Sequence, residues 1–201
     1  MIVLGRVIMG DIAVILVDLA QRRLLRVEEA DDGADWLLVP ARGTSARQQV
    51  TGYEKTLLEK LAGQDQARLS SLEEDFGRDL GKVRGALEHA AVTSGWVRRL
   101  RHDQRTPAGE EAARRLHSFQ RDLRRLKSAE GEDALHGRLL PYALRFGLIP
   151  GGEPSLARFA HAWVNAFGDL PGWRREWRQN RDIDTDAPMF GQVPPGSGFI
   201  T

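Results

Sequence analysis

The side chains best able to do chemistry are scattered along this chain. Its five histidines, His89, His102, His117, His136 and His161, include no pair spaced three or four residues apart. None therefore shares a helix face with another, as paired metal ligands do, and each reads as a surface or structural residue. There is no cysteine, which excludes disulfides, thiolate chemistry and cysteine-based zinc sites. The run Asp182-Ile183-Asp184-Thr185-Asp186 opens like a calcium loop. Ala187 holds the sixth position, where the turn needs glycine, and Val193 the twelfth, where a bidentate glutamate belongs. The run reads as a solvated acidic tail. Asp18 and Arg22, one helical turn apart, read as a structural ion pair. No nucleophile elbow, phosphate loop or dinucleotide fingerprint is present, and Pro195-Gly196-Ser197-Gly198 reads as linker. No catalytic, cofactor-binding or metal-binding residue is assigned, and no cofactor is expected.

Two surfaces remain. A helix over 78–91 exposes Arg78, Lys82, Arg84 and His89 beside Asp79 and Glu88, and the turn beyond it carries Arg98, Arg99, Arg101 and His102. Basic side chains on such a helix and hairpin suit phosphates, so Arg78, Lys82, Arg84, Arg98, Arg99 and Arg101 are the candidate nucleic-acid contacts. Against them stand Glu73, Glu74 and Asp75 just upstream. The overall balance of 29 basic and 28 acidic residues, net +1, also recruits no polyanion by itself. The second surface is aromatic. Tyr142, Phe146, Trp163, Trp173 and Trp177 offer large areas that either a core or a protein interface can use. Residues 163–177, with Arg174, Arg175 and Arg178, have the composition of an interfacial membrane helix but lack lysine and a long amphipathic run.

The elements that position these residues follow from periodicity. Ile12, Ile15, Leu16, Leu19 and Ala20 form one face of a helix over 11–24, with Asp11 as its N-cap and Asp18 and Arg22 opposite. Short strands over 25–28 and 36–39 pair as a hairpin. Tyr53, Leu57 and Leu61 mark a helix stopped by Gly63. Ser70 or Ser71 caps a short helix through Phe76, and Leu80, Val83, Leu87 and Ala90 stripe the next, which Gly95 closes. Residues 96–106 read as a second hairpin. Thr106 caps a helix with Pro107 in its first turn, and Ala112, Leu116, Phe119, Leu123 and Leu126 form its apolar seam. That seam can seal against 139–148 or against another copy. Pro141 starts a short buried helix with Leu140, Leu144 and Leu148 on one side, ended by Gly147. Leu156, Phe159, Trp163 and Phe167 face one way on a final helix.

The predicted fold is mainly α with small β-hairpins: tandem winged-helix-like units plus a C-terminal helical segment. The units are a helix plus wing over 1–40, a winged-helix-like unit over 50–128, a helical segment over 134–178 and an extended or disordered tail over 179–201. A hydrophobic content of 41% in 201 residues is ample for one sizeable core or two small ones. The apolar N-terminal stretch is interrupted by Arg6, Asp11 and Asp18 and has no cleavage signal, and no run is long enough to span a bilayer. A cytoplasmic location is expected.

The run Leu140-Pro141-Tyr142-Ala143, followed by Phe146-Gly147-Leu148, resembles the signature LPYA-x-x-FGL of an uncharacterised bacterial predicted-membrane-protein family, domain of unknown function 2207. Residues 11–39 are similar to its segment D-V-x-A-T-L-x-D-L-A-x-R-G-x-L-x-I-E-E followed by D-W-x-L. Tyr53-Glu54, Gly95-Trp96, Arg105-Thr106-Pro107 with Gly109, and 163–173 fall in the family's order, so that the resemblance covers about residues 5–175. It implies an architecture and no reaction. Relatives carry membrane spans between the Gly-Trp and Thr-Pro positions, whereas here Trp96 runs through eight residues to Arg105. The resemblance thus implies a soluble edition of a normally tethered cytosolic domain. The expected function is a non-enzymatic regulatory or scaffolding role through protein contacts, with a protein partner or homo-oligomer. The alternatives are a winged-helix DNA-binding regulator and an enzyme or accessory protein with an unrecognised site.

Overall fold

The computed structural model describes residues 9–30, 33–41, 50–63, 67–99, 104–149 and 155–167. Of Met9, residues 73–80, Arg99 and Gln104 it describes the backbone alone. The chain is mostly helical, with a three-stranded antiparallel sheet and a separate two-stranded hairpin.

Helix α1 (Met9–Gln21) begins two residues earlier than the spacing predicts, and Asp11 lies inside its first turn rather than at its cap. Ile12, Ala13, Val14, Leu16, Val17 and Leu19 are all buried, so the helix has more than the one apolar face expected. The reason is tertiary, because other elements pack around it: strand β1 (Leu25–Ala30), helix α5 (Leu140–Arg145) and helix α6 (Ser155–Phe167).

Strand β1 pairs antiparallel with β2 (Asp35–Pro40), Val27 opposite Leu38 and Glu29 opposite Trp36. Trp36 and Leu38, two residues apart, are both buried, as alternation along a strand with one covered face requires. A third strand, β3 (Ala67–Arg68), adds to β2 through Leu37–Arg68 and Leu38–Ala67. At two residues it is too short to leave a periodic signal.

Helix α2 (Gly52–Ala62) turns Leu57 and Leu61 inward. Helix α3 (Leu69–Thr93) runs unbroken, where the sequence suggests a short helix through Phe76 and then a second. Glycines weaken a helix by only about 1 kcal/mol each, which the packing of Leu72, Val83, Leu87 and Ala91 outweighs. Strands β4 (Val97–Arg99) and β5 (Gln104–Arg105) form the hairpin, and helix α4 (Pro107–Glu130) follows. Two short 3₁₀ turns, Glu132–Leu135 and Gly137–Leu139, lead into α5, which carries Pro141 in its first turn. Buried side chains from every one of these helices and from β1, β2 and β4 make one contiguous core. The segments that read as separate units therefore share their apolar faces. Among the described residues, no helix is long and apolar enough to cross a membrane.

Three helices end in the same way. Leu24, Trp96 and Leu148 donate their N–H groups to the carbonyls of Leu19, Ala91 and Ala143, five residues back. The residue before each, Arg23, Gly95 and Gly147, has a φ of 59°, 70° and 63°. This is the Schellman arrangement, in which a left-handed residue reverses the chain and an apolar one seals the end. After α1 and α3 it feeds the chain directly into a hairpin.

The join between the second hairpin and α4 is equally specific. The Thr106 hydroxyl accepts the Gly109 N–H at 3.1 Å as the helix cap and donates to the carbonyl of Gly95. The Thr106 N–H donates to the Trp96 carbonyl at 3.0 Å. That carbonyl oxygen would lie 1.9 Å from a Cβ placed on Gly109. Gly109→Ala is expected to destabilise the protein by about 2–4 kcal/mol, since both sides of the clash are backbone. Gly81→Ala, at a helical position with nothing within 4 Å of the added Cβ, is expected to stabilise by about 0.5–1 kcal/mol. Urea unfolding of the two variants in parallel checks both signs.

Candidate functional site

The buried carboxylates are the groups in which chemistry would first be sought, and each is tied to a structural partner. Asp11 is 3% exposed in an otherwise apolar turn of α1, and Arg145 at the end of α5 donates its Nε to Asp11 Oδ1 at 2.6 Å. The two residues are 134 positions apart. A carboxylate in such surroundings is tolerated only when a cation and hydrogen bonds replace its water.

Glu54 performs two tasks at the start of α2. One oxygen accepts the Thr51 N–H at 2.6 Å, and the other accepts from Arg22 Nη1 at 2.6 Å. The same guanidinium reaches Asp18 at 2.9 Å, so the expected i, i+4 pair exists and extends to a second helix.

Asp35 begins β2 and caps α3 from outside. Its oxygens accept the Trp36 N–H at 2.8 Å, the Ser70 N–H at 3.2 Å and the Ser70 hydroxyl at 2.7 Å. Arg68, which precedes the helix, offers no side-chain cap of its own. Burial by itself raises the Asp35 carboxyl pKa. The Ser70 hydroxyl, the two backbone N–H groups and the Arg68 guanidinium outweigh it and hold the group below its ordinary value near 3.8.

None of these ties stands among the candidate site residues, yet each has a signal in the sequence. Asp11 is a charge inside an apolar run, Asp35 directly precedes an apolar strand, and Glu54 stands three residues after Thr51, the capping-box spacing.

Three of the six candidate nucleic-acid side chains fall among the described residues. Lys82 is exposed on α3, Arg84 is half-buried and pairs with Glu88 at 2.9 Å, and Arg98 is exposed on β4. The side chains of Arg78 and Arg99, and all of Arg101, lie outside the described residues. The aromatic candidates divide. Trp163 is fully buried between Phe159, 6.2 Å away, and Phe167, 4.4 Å away, and Trp36 packs on the other side of Phe159 at 5.6 Å. Phe146 is buried as well. Assigning these two to an interface is therefore corrected, because both rings are enclosed in the contiguous core. Tyr142 is 42% exposed, and its ring meets Phe119 edge-on at 5.2 Å. Trp173, Trp177 and the acidic run of 182–186 lie outside the described residues.

His161 is half-buried, and burial lowers its imidazole pKa; His89 and His117 are exposed. No group of three or more metal-ligating side chains occurs among the described residues. Comparison with family models, curated proteins and solved structures returns no match.

Two outcomes follow. Replacing one partner of the Asp11–Arg145 pair, as in Arg145→Met, is expected to cost about 3–5 kcal/mol because it takes the guanidinium away from a buried carboxylate. Asp11→Asn with Arg145→Met together costs less than the sum of the two, and a double-mutant cycle measures the coupling. Asp35 has a lowered folded pKa, so its contribution is complete above the unfolded value and disappears as pH falls through the folded one. Stability between pH 5 and 2 (about the carboxylate range) should fall less steeply in Asp35→Asn than in the natural chain, as chemical unfolding at each pH reports.

Proposed function

We propose that the chain is a non-enzymatic scaffolding or regulatory module acting through protein contacts, with Tyr142 at the centre of the contact surface. The observation that carries this reading is the setting of that ring. Its neighbours on α5, Leu140, Pro141, Ala143 and Leu144, are buried, while Tyr142 stands 42% exposed and is braced by Phe119 at 87°. A braced phenol combines apolar area with a polar tip and loses little freedom on binding, as anchors of protein interfaces do. Half-buried Leu116, Leu126 and Leu139 supply further partly covered apolar side chains on α4 and next to α5.

The resemblance to domain of unknown function 2207 belongs with this proposal. Its pattern R-G-x-L sets glycine where this chain has Arg23, and Arg23 adopts φ 59°, a conformation that favours glycine. The order α3, hairpin, α4, with a cap that locks hairpin to helix, supports the winged-helix-like reading of that unit.

A photo-crosslinking residue at position 142 of the full chain, produced in its native cells, is expected to give a discrete protein adduct. The same residue at Val92, which is also exposed, should give none. Tyr142→Ala should then weaken the identified complex by about 30-fold or more, the loss of about 2 kcal/mol that marks an interface anchor. Equal labelling at both positions, or none at 142, overturns the reading.

A further inference from the structure

Helix α4 turns a strongly basic face outward. Its inward positions Ala113, Gln120 and Leu123 are buried, which leaves Arg114, Arg115, His117, Ser118, Arg121, Asp122, Arg124 and Arg125 exposed. Between residues 114 and 125 five arginines accompany a single acidic residue, Asp122. At about 1.5 Å rise per residue, they extend along roughly 16 Å of one straight element. Glu111 is shared by Arg114 and Arg115, and Asp122 lies 3.6 Å from Arg125. Arg121 and Arg124 make no ion pair among the described residues. The last turns of the same face hold a shallow open depression lined by Arg124, Arg125, Ser128 and Ala129.

We propose that this face binds the phosphate backbone of a nucleic-acid duplex without reading its sequence. Guanidinium groups match phosphate oxygens in a two-pronged geometry, and a row of them on a rigid helix meets a row of phosphates without ordering cost in the backbone. The exposed side chains from 114 to 125 include no large apolar group, so the face has nothing to insert between lipid headgroups, and a bilayer surface suits it less. The chain's balanced total charge does not oppose this, because the contact is local and screened beyond about 10 Å. The surface differs from the one containing Lys82, Arg84 and Arg98, and it is independent of the Tyr142 contact.

The test is fluorescence anisotropy of the full chain with a labelled duplex of arbitrary sequence, titrated with salt. Four neutralised phosphates, one for each of Arg114, Arg121, Arg124 and Arg125, give a log–log salt slope of about −3.6. Arg121→Glu with Arg124→Glu should weaken binding at least tenfold and reduce the slope to about −1.8. Both arginines are exposed, so the fold should be retained, and thermal melting followed by circular dichroism checks it. Arg121→Gln with Arg124→Gln serves if the reversal variant does not fold. A charge-matched control, Arg26→Glu with Lys55→Glu on exposed positions elsewhere, should stay within about twofold of the natural chain. Absence of duplex binding at about 50 mM salt overturns the proposal. So does binding that survives the double variant. Tighter binding to phosphatidylserine vesicles or to polyglutamate than to the duplex also overturns it, and assigns the face to a membrane or an acidic protein instead.

Discussion

The rest of the structure depends on one buried charge. Asp11 lies in the first turn of a helix whose surroundings are otherwise apolar, and a carboxylate there needs polar partners to replace its water. Arg145 resolves the problem at 2.6 Å, and doing so fixes where α5 must lie. Once α5 is held against the start of α1, the turn at Gly147 carries the chain on toward α6. That helix packs against α1 as well, and its Phe159, Trp163 and Phe167 are fully buried. The ion pair need not add much net stability over a well-packed apolar pair, but it makes the wrong docking of α5 expensive. Lys127 acts in a similar way just past the same end of α5, donating to the Leu148 carbonyl at 2.5 Å and pairing with Glu132.

Local chain reversals do the remaining work. The same left-handed terminator ends α1, α3 and α5, at Arg23, Gly95 and Gly147. In the first two cases the reversal sends the chain straight into a hairpin. Arg23 carries a strain of about 1 kcal/mol that the two glycines avoid, and it is tolerated because Leu24 behind it is enclosed in the core. The cap at Thr106 and the close approach of Gly109 to the Trp96 carbonyl then hold the second hairpin rigidly to α4. The outcome is a body in which polar side chains join elements, while the exposed surface of α4 keeps the arginines and the edge of α5 keeps Tyr142.

That division bears on function. Asp11, Asp35 and Glu54 are the described carboxylates most removed from water, and all three are committed to helix ends or to a neighbouring guanidinium. Among the described residues, the contacts proposed above use instead a braced tyrosine and a face of guanidinium groups, chemistry that suits recognition of another molecule's surface.

The sequence by itself determined most of the local structure. The helical stripes, both hairpins, the caps at Thr106 and Pro107, and the stops at Gly95 and Gly147 are written in spacings of a few residues, because caps and turns are short-range chemistry. It also marked 140–148 as the distinctive segment. Only the tertiary structure decided the rest. It showed that α3 runs on past the expected break, that β3 exists, that α1 is central and that Trp163 and Phe146 are core rather than surface. It also showed that Asp11 is an ion-pair partner and not a cap. Each of these depends on what lies opposite a side chain across the core. Pairings such as Asp11 with Arg145 join positions far apart in the chain, and periodicity along one element says nothing about which distant residue will meet it.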